Sequence, residues 1–372
     1  MDSERVHWLS VLASFRGYER ALLPELARRA ESYAKLPAAL RARLPAAAGA
    51  ARDGALRTAA SANQLVLDAL VAAAEDGGIA TDEAEEDGAA DGAAAEAAAV
   101  AAAAARPTHI SKARSTLSQL ARDWSEEGAA ERAACYGPVL AELAARLPPP
   151  ARVLVPGCGA GRLVLDACLA GYAAQGSEFS LQMLFASNLM LNASEAPRAW
   201  TIHPYIHDSC NHVSAEDMLR PVRVPDVVAA AALAAGGGVC ADMSMTSGEF
   251  CAVYSAPAQR GAFDAALCVF FLDTAPVLHE YLDTLRHALR PGGLLIALGP
   301  LLYHWAAGAA DEEDERFARS LELPWEDVRF AVEASGFRIL KEAPRLRQTY
   351  AGNARALQHT VYDCMLMVAE RV

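Results

Sequence analysis

Apolar residues recur at helical spacing in the first part of the chain, as at Leu12 and Phe15. This spacing places one apolar face on each helix, and Pro37 and Pro45 predict breaks between successive helices. Residues 1–74 are therefore predicted to form a helical region.

Residues 75–105 lack this pattern. Acidic residues lie there among alanine and glycine, and the segment contains no lysine or arginine. Such a composition cannot bury enough apolar surface to offset the entropy of ordering, so we predict a low-complexity insertion whose acidic half is disordered.

Helical spacing returns at Ile110, and the prolines from Pro148 onward end a second helical segment. Its predicted bounds are 106–150.

From residue 151 onward, short apolar runs alternate with helical segments. Strands are predicted at 153–155, 172–175, 263–272, 294–298, 337–342 and 362–369, and helices at 162–170, 180–192, 277–289 and 325–335. Residues 193–240 are predicted to be rich in loops, and 303–319 to be a second acidic surface insertion. Strands that alternate with helices favour an α/β domain over 151–372, built on a mostly parallel sheet.

Three glycines on alternate positions follow the first predicted strand, at Gly157, Gly159 and Gly161. Glycine allows positive φ angles and close approach of a ligand to the backbone, although a strand-to-helix turn also uses glycine for packing alone. Glu178 follows the second strand, where a doubly wound fold places a carboxylate for ribose hydroxyl groups; capping of a helix is the alternative.

The spacing of these glycines distinguishes between cofactors. A dinucleotide-binding loop has the pattern G-x-G-x-x-G, whereas Arg162 follows the third glycine here. The loop resembles motif I of class I S-adenosylmethionine-dependent methyltransferases, and a dehydrogenase is the disfavoured alternative. Arg290–Gly293, between a helix and a strand, resembles a second landmark of that class. This resemblance implies a Rossmann-like doubly wound sheet with an N-terminal helical extension, in which residues 106–150 cover the cofactor site.

Charge and cysteine content narrow the functional classes. Lys and Arg number 33 against 46 Asp and Glu, a net charge of −13. Because this charge repels phosphate backbones and anionic lipids, we expect no nucleic-acid or membrane partner. The eight cysteines lack C-x-x-C spacing and lie in apolar runs, which predicts reduced, buried thiols and a cytoplasmic or nuclear location.

Several longer segments resemble the carnosine N-methyltransferase family. They are Arg122–Glu126, Glu131–Tyr136, Leu154–Leu163, Gly176–Asn188, Phe270–Ala275 and Gly299–His304. The resemblance implies S-adenosylmethionine as methyl donor and the imidazole of a small histidine-containing peptide as acceptor, with anserine formed from carnosine. The cofactor-binding residues that it implies are Gln119, Arg122, Gly157, Gly159, Glu178, Glu249, Phe250 and Cys268. On the acceptor side it implies Asp273, His304, Tyr350 and Tyr362 as catalytic residues.

The acceptor residues suit imidazole chemistry. Asp273, at the carboxyl end of a predicted strand, is expected to orient the ring and stabilise its developing positive charge. His304 and the two tyrosines are expected to hold the peptide or relay protons. A helix cap is the less favoured alternative for Asp273, and an interface histidine is that for His304. Without the resemblance, each tyrosine is a half-buried residue of a terminal strand.

Other interpretations stay open. Gln119 and Arg122, by periodicity alone, belong to a solvated helix face. The spacing of His203, His207, Cys210 and His212 matches no common tetrahedral zinc site, so no metal is predicted, and a loop beside the acceptor pocket is favoured. Methylation of a histidine in a protein and a non-catalytic S-adenosylmethionine-binding scaffold are the alternative functions. The sequence leaves open whether the helical region forms a homodimer.

Overall fold

The computed structural model describes residues 3–45, 48–77, 107–236, 242–306 and 315–372. Most of the predicted insertion at 75–105 lies outside the described residues. The chain divides into two compact units. The helical unit comprises residues 1–128, 181–228 and 351–359, and the sheet unit comprises 129–180, 229–350 and 360–372.

The helical unit confirms the predicted periodicity. Its helices are α1 (Ser3–Arg16), α2 (Tyr18–Ala34), α3 (Ala38–Arg41), α4 (Ala50–Asp76), α5 (Pro107–Trp124), α8 (Leu181–Asn188, extended by a π-helical turn Leu189–Ala193) and α9 (Ala215–Leu219). Phe15 and Leu22 are fully buried, as the apolar spacing requires. Pro37 immediately precedes α3, and Pro45 lies between α3 and α4, so both breaks occur where they are predicted.

The sheet unit is an α/β layer structure. Its helices are α6 (Ala129–Arg146), α7 (Arg162–Leu169), α10 (Ala229–Ala235), α11 (Phe250–Tyr254), α12 (Leu278–Ala288), α13 (Glu315–Arg319) and α14 (Trp325–Ala334). Its strands are β1 (Arg152–Pro156), β2 (Ala173–Glu178), β5 (Met243–Ser247), β6 (Phe263–Val269), β7 (Leu289–Gly299), β8 (Phe337–Gln348) and β9 (Tyr362–Arg371). The sheet order is β5-β2-β1-β6-β7-β9-β8, and only β9 runs antiparallel to its neighbours. The predicted mostly parallel, doubly wound sheet is confirmed.

Both faces of this sheet are buried. On β1, Val153 and Val155 pack in one apolar cluster with Val139 of α6, whereas Leu154 packs on the opposite face with Leu282 of α12. Burial on both faces explains why the central strands are continuous apolar runs.

Four predictions of local structure need correction. The predicted loop region 193–240 contains a two-stranded antiparallel hairpin, β3 (Trp200–Ile202) and β4 (Val222–Val224), and the helices α9 and α10. Strands of three residues are too short to show alternation. The edge strand β5 carries no apolar run, so it was missed.

The strand predicted at 263–272 ends at Val269, because Phe270 adopts a positive φ of 52° and leaves the extended conformation. The predicted insertion at 303–319 begins too early. Tyr303 is buried and donates to the carbonyl of Leu323 (2.6 Å), and Trp305 donates to the carbonyl of Thr274 (2.8 Å). Residues 307–314 lie outside the described ranges.

Most of the described thiols are buried. Cys135, Cys158, Cys168, Cys268 and Cys364 are buried and unbridged, as predicted. The prediction is wrong for Cys210, which is exposed, and for Cys251, which is half-buried.

Within the described ranges, no helix combines the length and apolar character needed to cross a bilayer.

Candidate active site

The sheet has its topological switch point between β1 and β6. Strand β1 pairs in parallel with β2 on one side and with β6 on the other, with Val153 opposite both Ala174 and Ala265. The loops that follow β1 and β6 therefore leave the same edge of the sheet. In open α/β sheets, ligands bind in the crevice at this position.

The loop after β1 contains backbone that only glycine adopts easily. Gly157, Gly159 and Gly161 have φ angles of 61°, 56° and 82°, all in the left-handed region. A Cβ atom on Gly157 would lie 2.6 Å from Cδ2 of Phe271, in the segment that follows β6. The two loops thus touch, and a side chain at Gly157 would push them apart.

Glu178 lies at the end of β2 and anchors this glycine loop. Its carboxylate accepts 2.8 Å hydrogen bonds from the backbone N–H groups of Gly159, Phe179 and Ser180. Burial raises the pKa of Glu178, and the three N–H donors partly offset that increase. A carboxylate has about four acceptor positions, so about one is left for a ligand hydroxyl group.

Two of the predicted cofactor-binding residues, Glu249 and Phe250, lie at the start of α11. Glu249 is exposed and accepts a hydrogen bond from the N–H of Ala252 (2.6 Å), so its carboxylate caps that helix. Phe250 is buried at 5% exposure. Cys268 is buried in β6 on the face that includes Phe250, and burial raises the pKa of its thiol.

Tyr281 of α12 was not predicted as part of this site. Its ring stacks on Phe271 with centroids 4.6 Å apart and contacts Phe250 at 5.2 Å. Burial is the main cause that raises the pKa of Tyr281 to about 12, and the charges of Cys251, Glu249 and Glu178 contribute in the same direction. Both carboxylates therefore act on this one phenol. Helical periodicity shows only an ordinary core tyrosine at this position.

Asp273 lies in a short 3₁₀ turn after β6 and is 3% exposed. Its Oδ2 accepts a hydrogen bond from the N–H of Leu302 (3.0 Å), and its carbonyl accepts one from the N–H of His304 (3.0 Å). Burial raises the pKa of Asp273, whereas the Leu302 N–H and the charge of His304 lower it. The capping alternative is wrong, because α12 begins after Val277 without any side-chain cap.

Two predicted acceptor residues, Tyr350 and Tyr362, contact the same ring. Phe270 lies 4.7 Å from Tyr350 and 6.0 Å from Tyr362 between ring centroids. We call Phe270, Tyr350 and Tyr362 the aromatic trio. The positive φ of Phe270 is unusual for a bulky residue and costs about 1–3 kcal/mol. Sequence reasoning missed this residue because a strand pattern carries no signal of backbone strain.

His304 is exposed beside two anchored neighbours, Tyr303 and Trp305. Its backbone is bound to Asp273, so the two predicted acceptor residues are held together. The structure places Asp273, His304 and the aromatic trio in the sheet unit; their catalytic roles remain predictions.

Gln119 and Arg122 lie on α5 in the helical unit. Arg122 is 6% exposed and forms an ion pair with Asp123 at 2.7 Å. The interpretation of a solvated helix face is therefore wrong for Arg122, while Gln119 is half-buried. Contact of Gln119 and Arg122 with the cofactor stays a prediction.

The histidines of the 203–212 segment make protein contacts within the helical unit. His203 donates from Nδ1 to the carbonyl of Leu219 (2.7 Å), and His212 from Nε2 to that of Asp208 (2.9 Å). His207 is bonded through Nε2 to the hydroxyl of Tyr18 (2.6 Å). Among the described residues, no group of three or more His, Cys, Asp or Glu side chains is arranged to hold a metal ion.

Comparison with known proteins identifies the family. A family model described as carnosine N-methyltransferase matches residues 100–372. Carnosine N-methyltransferase of Mus musculus is 38% identical over 268 residues, which cover 70% of this chain and 63% of the mouse protein. The Schizosaccharomyces pombe enzyme of that name is 36% identical over 261 residues, or 68% of this chain and 69% of that protein.

The match thus spans less than two thirds of the mouse protein. Among solved structures, a SAM-dependent methyltransferase from Methanosarcina mazei is 12% identical, with a TM-score of 0.39, and the match covers 62% of this chain and 97% of that chain. With a family model that matches most of its length and two relatives above 30% identity, the chain belongs to the carnosine N-methyltransferase family.

Proposed function

We propose that this protein transfers a methyl group from S-adenosylmethionine to an imidazole nitrogen of carnosine or a related histidine-containing peptide, with anserine as the product from carnosine. The observation that carries the proposal is the switch point of the sheet. There the glycine loop and a buried aspartate with neighbouring aromatic rings leave the same sheet edge. Membership of the family supports the same reaction.

The residues around the glycine loop fit this cofactor. The positive φ angles of Gly157 and Gly159 expose backbone without Cβ atoms, and the acceptor position left on Glu178 suits a ribose hydroxyl. Phe250 and Cys268 supply an apolar wall for a nucleobase. S-adenosylmethionine supplies an electrophilic methyl group on a sulfonium sulfur.

Asp273 is proposed to hold the acceptor. Its carboxylate accepts a hydrogen bond from the N–H of the imidazole, which directs the unprotonated nitrogen toward the methyl group. Positive charge develops on the ring during transfer, and a carboxylate already fixed by the Leu302 N–H stabilises it without reorganising. After transfer, the Asp273 carboxylate takes up that N–H proton and passes it to water, so the methylated ring is released neutral.

The aromatic trio is proposed to receive the same ring. Aromatic faces attract a cation, and the attraction grows as the imidazole becomes an imidazolium. Tyr350 and Tyr362 border Phe270 on two sides, so they restrict how the ring can turn. In-line displacement requires such alignment more than it requires acid or base strength.

Titration calorimetry and a methyl-transfer assay test this function. We expect the protein to bind S-adenosylmethionine and to methylate carnosine with labelled donor. Glu178→Gln should weaken cofactor binding about 10- to 100-fold, because one hydrogen-bonding carboxylate is lost. The matched control is Glu342→Gln, which removes a carboxylate paired with Arg329 on the surface. No binding by the wild-type protein, or equal binding by both variants, would refute the proposal.

A histidine within a protein is the second candidate acceptor. Tyr350 is 41% exposed, Leu302 is 53% exposed, and His304 is exposed as well. Exposed residues of this kind can be reached by a larger partner. Assays with carnosine, Gly-His, free histidine and a folded histidine-bearing protein under the same conditions separate the two acceptor classes.

A further inference from the structure

A second cavity lies at the opposite edge of the sheet unit, near the amino ends of β6 and β7. It has a volume of about 260 Å³. Its lining includes three arginines, one aspartate and two hydroxyl groups, namely Arg260, Arg286, Arg371, Asp283, Ser255 and Thr284. The chain enters β6 and β7 just after Arg260 and Arg286. The glycine loop follows the carboxyl end of β1, so the cavity is distinct from the proposed active site.

The three arginines lack carboxylate partners. Within the described parts of the chain, none of Arg260, Arg286 and Arg371 forms an ion pair. Other arginines of the same unit do: Arg290 with Asp264 at 2.5 Å and Arg338 with Glu370 at 2.6 Å. Acidic side chains are abundant in a chain with a net charge of −13. A cluster of arginines without ion pairs is therefore unexpected and points to an anion that is bound there.

Arg371 shows the consequence of this clustering. Its guanidinium donates to the carbonyl of Leu289, but its Nε is buried without a hydrogen-bond partner among the described residues. Burial lowers the pKa of Arg371, and the like charges of Arg286 and Arg260 lower it further. Cations held together without a counter-ion repel one another, and a bound anion relieves that repulsion.

We propose that this cavity binds a small phosphate-type oxyanion, either free inorganic phosphate or the phosphoryl group of a small molecule. Guanidinium groups present N–H donors in a planar fork that matches the oxygens of such an anion. Ser255 and Thr284 add hydroxyl groups at the same cavity, and Asp283 leaves its lining with a net positive charge. The volume is near the lower end of small-molecule pockets, which favours a compact ligand.

Thermal unfolding and titration calorimetry, in buffer without phosphate, test the site. The probes are inorganic phosphate, sulfate and glycerol 3-phosphate, each compared with sodium chloride at matched ionic strength. We expect phosphate to raise the melting temperature of the full chain above that in chloride, because it binds the folded state. The double variant Arg260→Gln/Arg286→Gln should raise the dissociation constant for phosphate at least about tenfold. Tighter binding of glycerol 3-phosphate than of phosphate identifies the phosphoryl group of a small molecule as the ligand, and equal binding identifies the free anion.

The matched control is Arg329→Gln/Arg338→Gln, which removes the same charge from arginines that are already paired. It should respond to phosphate like the wild type. In chloride, the cavity variant should melt no lower than the wild type, since repulsion is relieved; a purely structural role for these arginines would lower its melting temperature. The proposal is overturned if phosphate acts no more than chloride does, or if the cavity variant responds as fully as the control.

Discussion

Each unit of this protein contains a buried polar centre, and the two centres differ in their chemistry. In the helical unit, Asn63 donates to the hydroxyl of Tyr18 (3.1 Å), so that hydroxyl donates to Nε2 of His207 (2.6 Å). Nδ1 of His207 then carries the proton and donates to the carbonyl of Pro204 (3.2 Å). Each of these linked groups has a partner within the protein.

The carboxyl edge of the sheet unit is arranged differently. Asp273 is buried with a raised pKa, and Phe270 beside it has a strained backbone. Satisfied networks rigidify a fold, whereas strain and buried charge are kept where a ligand benefits from them. The comparison agrees with a structural role for the helical centre and with the binding and catalysis that we propose for the sheet edge.

The largest effect is expected at Asp273. Asp273→Asn keeps an oxygen for the Leu302 N–H but removes the charge, so methyl transfer should fall about 1000-fold, or about 4 kcal/mol. Its melting temperature should change little. Steady-state kinetics with carnosine and circular dichroism measure the two quantities. Asp264→Asn, at a carboxylate paired with Arg290, is the control, and equal turnover in both variants would contradict the catalytic role.

The next effect concerns acid stability of the helical unit. Burial and the charge of Arg114 lower the pKa of His207 from 6.5 to about 4. The unfolded chain takes up this proton near pH 6.5 but the folded chain does not, so stability present above pH 6.5 decreases as the pH falls toward 4. The loss reaches at most about 3 kcal/mol.

Urea unfolding between pH 7 and 4 measures this loss. His207→Gln keeps an acceptor for Tyr18 and does not titrate, so it should remove the His207 contribution to the pH dependence. If the wild type and the variant lose equal stability in this range, His207 does not govern it.

The smallest effect is expected at Phe270. Phe270→Leu keeps apolar volume but removes the ring, so the KM for carnosine should rise about tenfold, or about 1.4 kcal/mol. Cofactor affinity should stay constant. Phe330→Leu, at a ring that is 73% exposed, provides the control. An unchanged KM would show that the aromatic trio does not hold the acceptor.

Residues with a strong local pattern were placed well from the sequence. The apolar run of β1 and the glycines after it identify a strand and a turn with positive φ angles, because both features depend on the local sequence. Asp273 was indicated by the resemblance and expected at the end of the predicted strand, and it lies in the 3₁₀ turn that follows β6. Strand β5 and the β3–β4 hairpin were missed, since polar or three-residue strands depend on a partner strand rather than on their own pattern.

Local chemistry along the chain was enough to indicate the mostly parallel sheet and the glycine loop, because hydrophobic periodicity and turn residues act over a few positions. The family was indicated by the resemblance of longer segments. Contacts between distant segments required folding. The stacking of Tyr281 on Phe271, the strain at Phe270 and the gathering of Arg260 with Arg371 join parts of the chain that only packing brings together. Burial sets the pKa of Asp273 in the same way, since the loss of water around a carboxylate depends on everything packed against it.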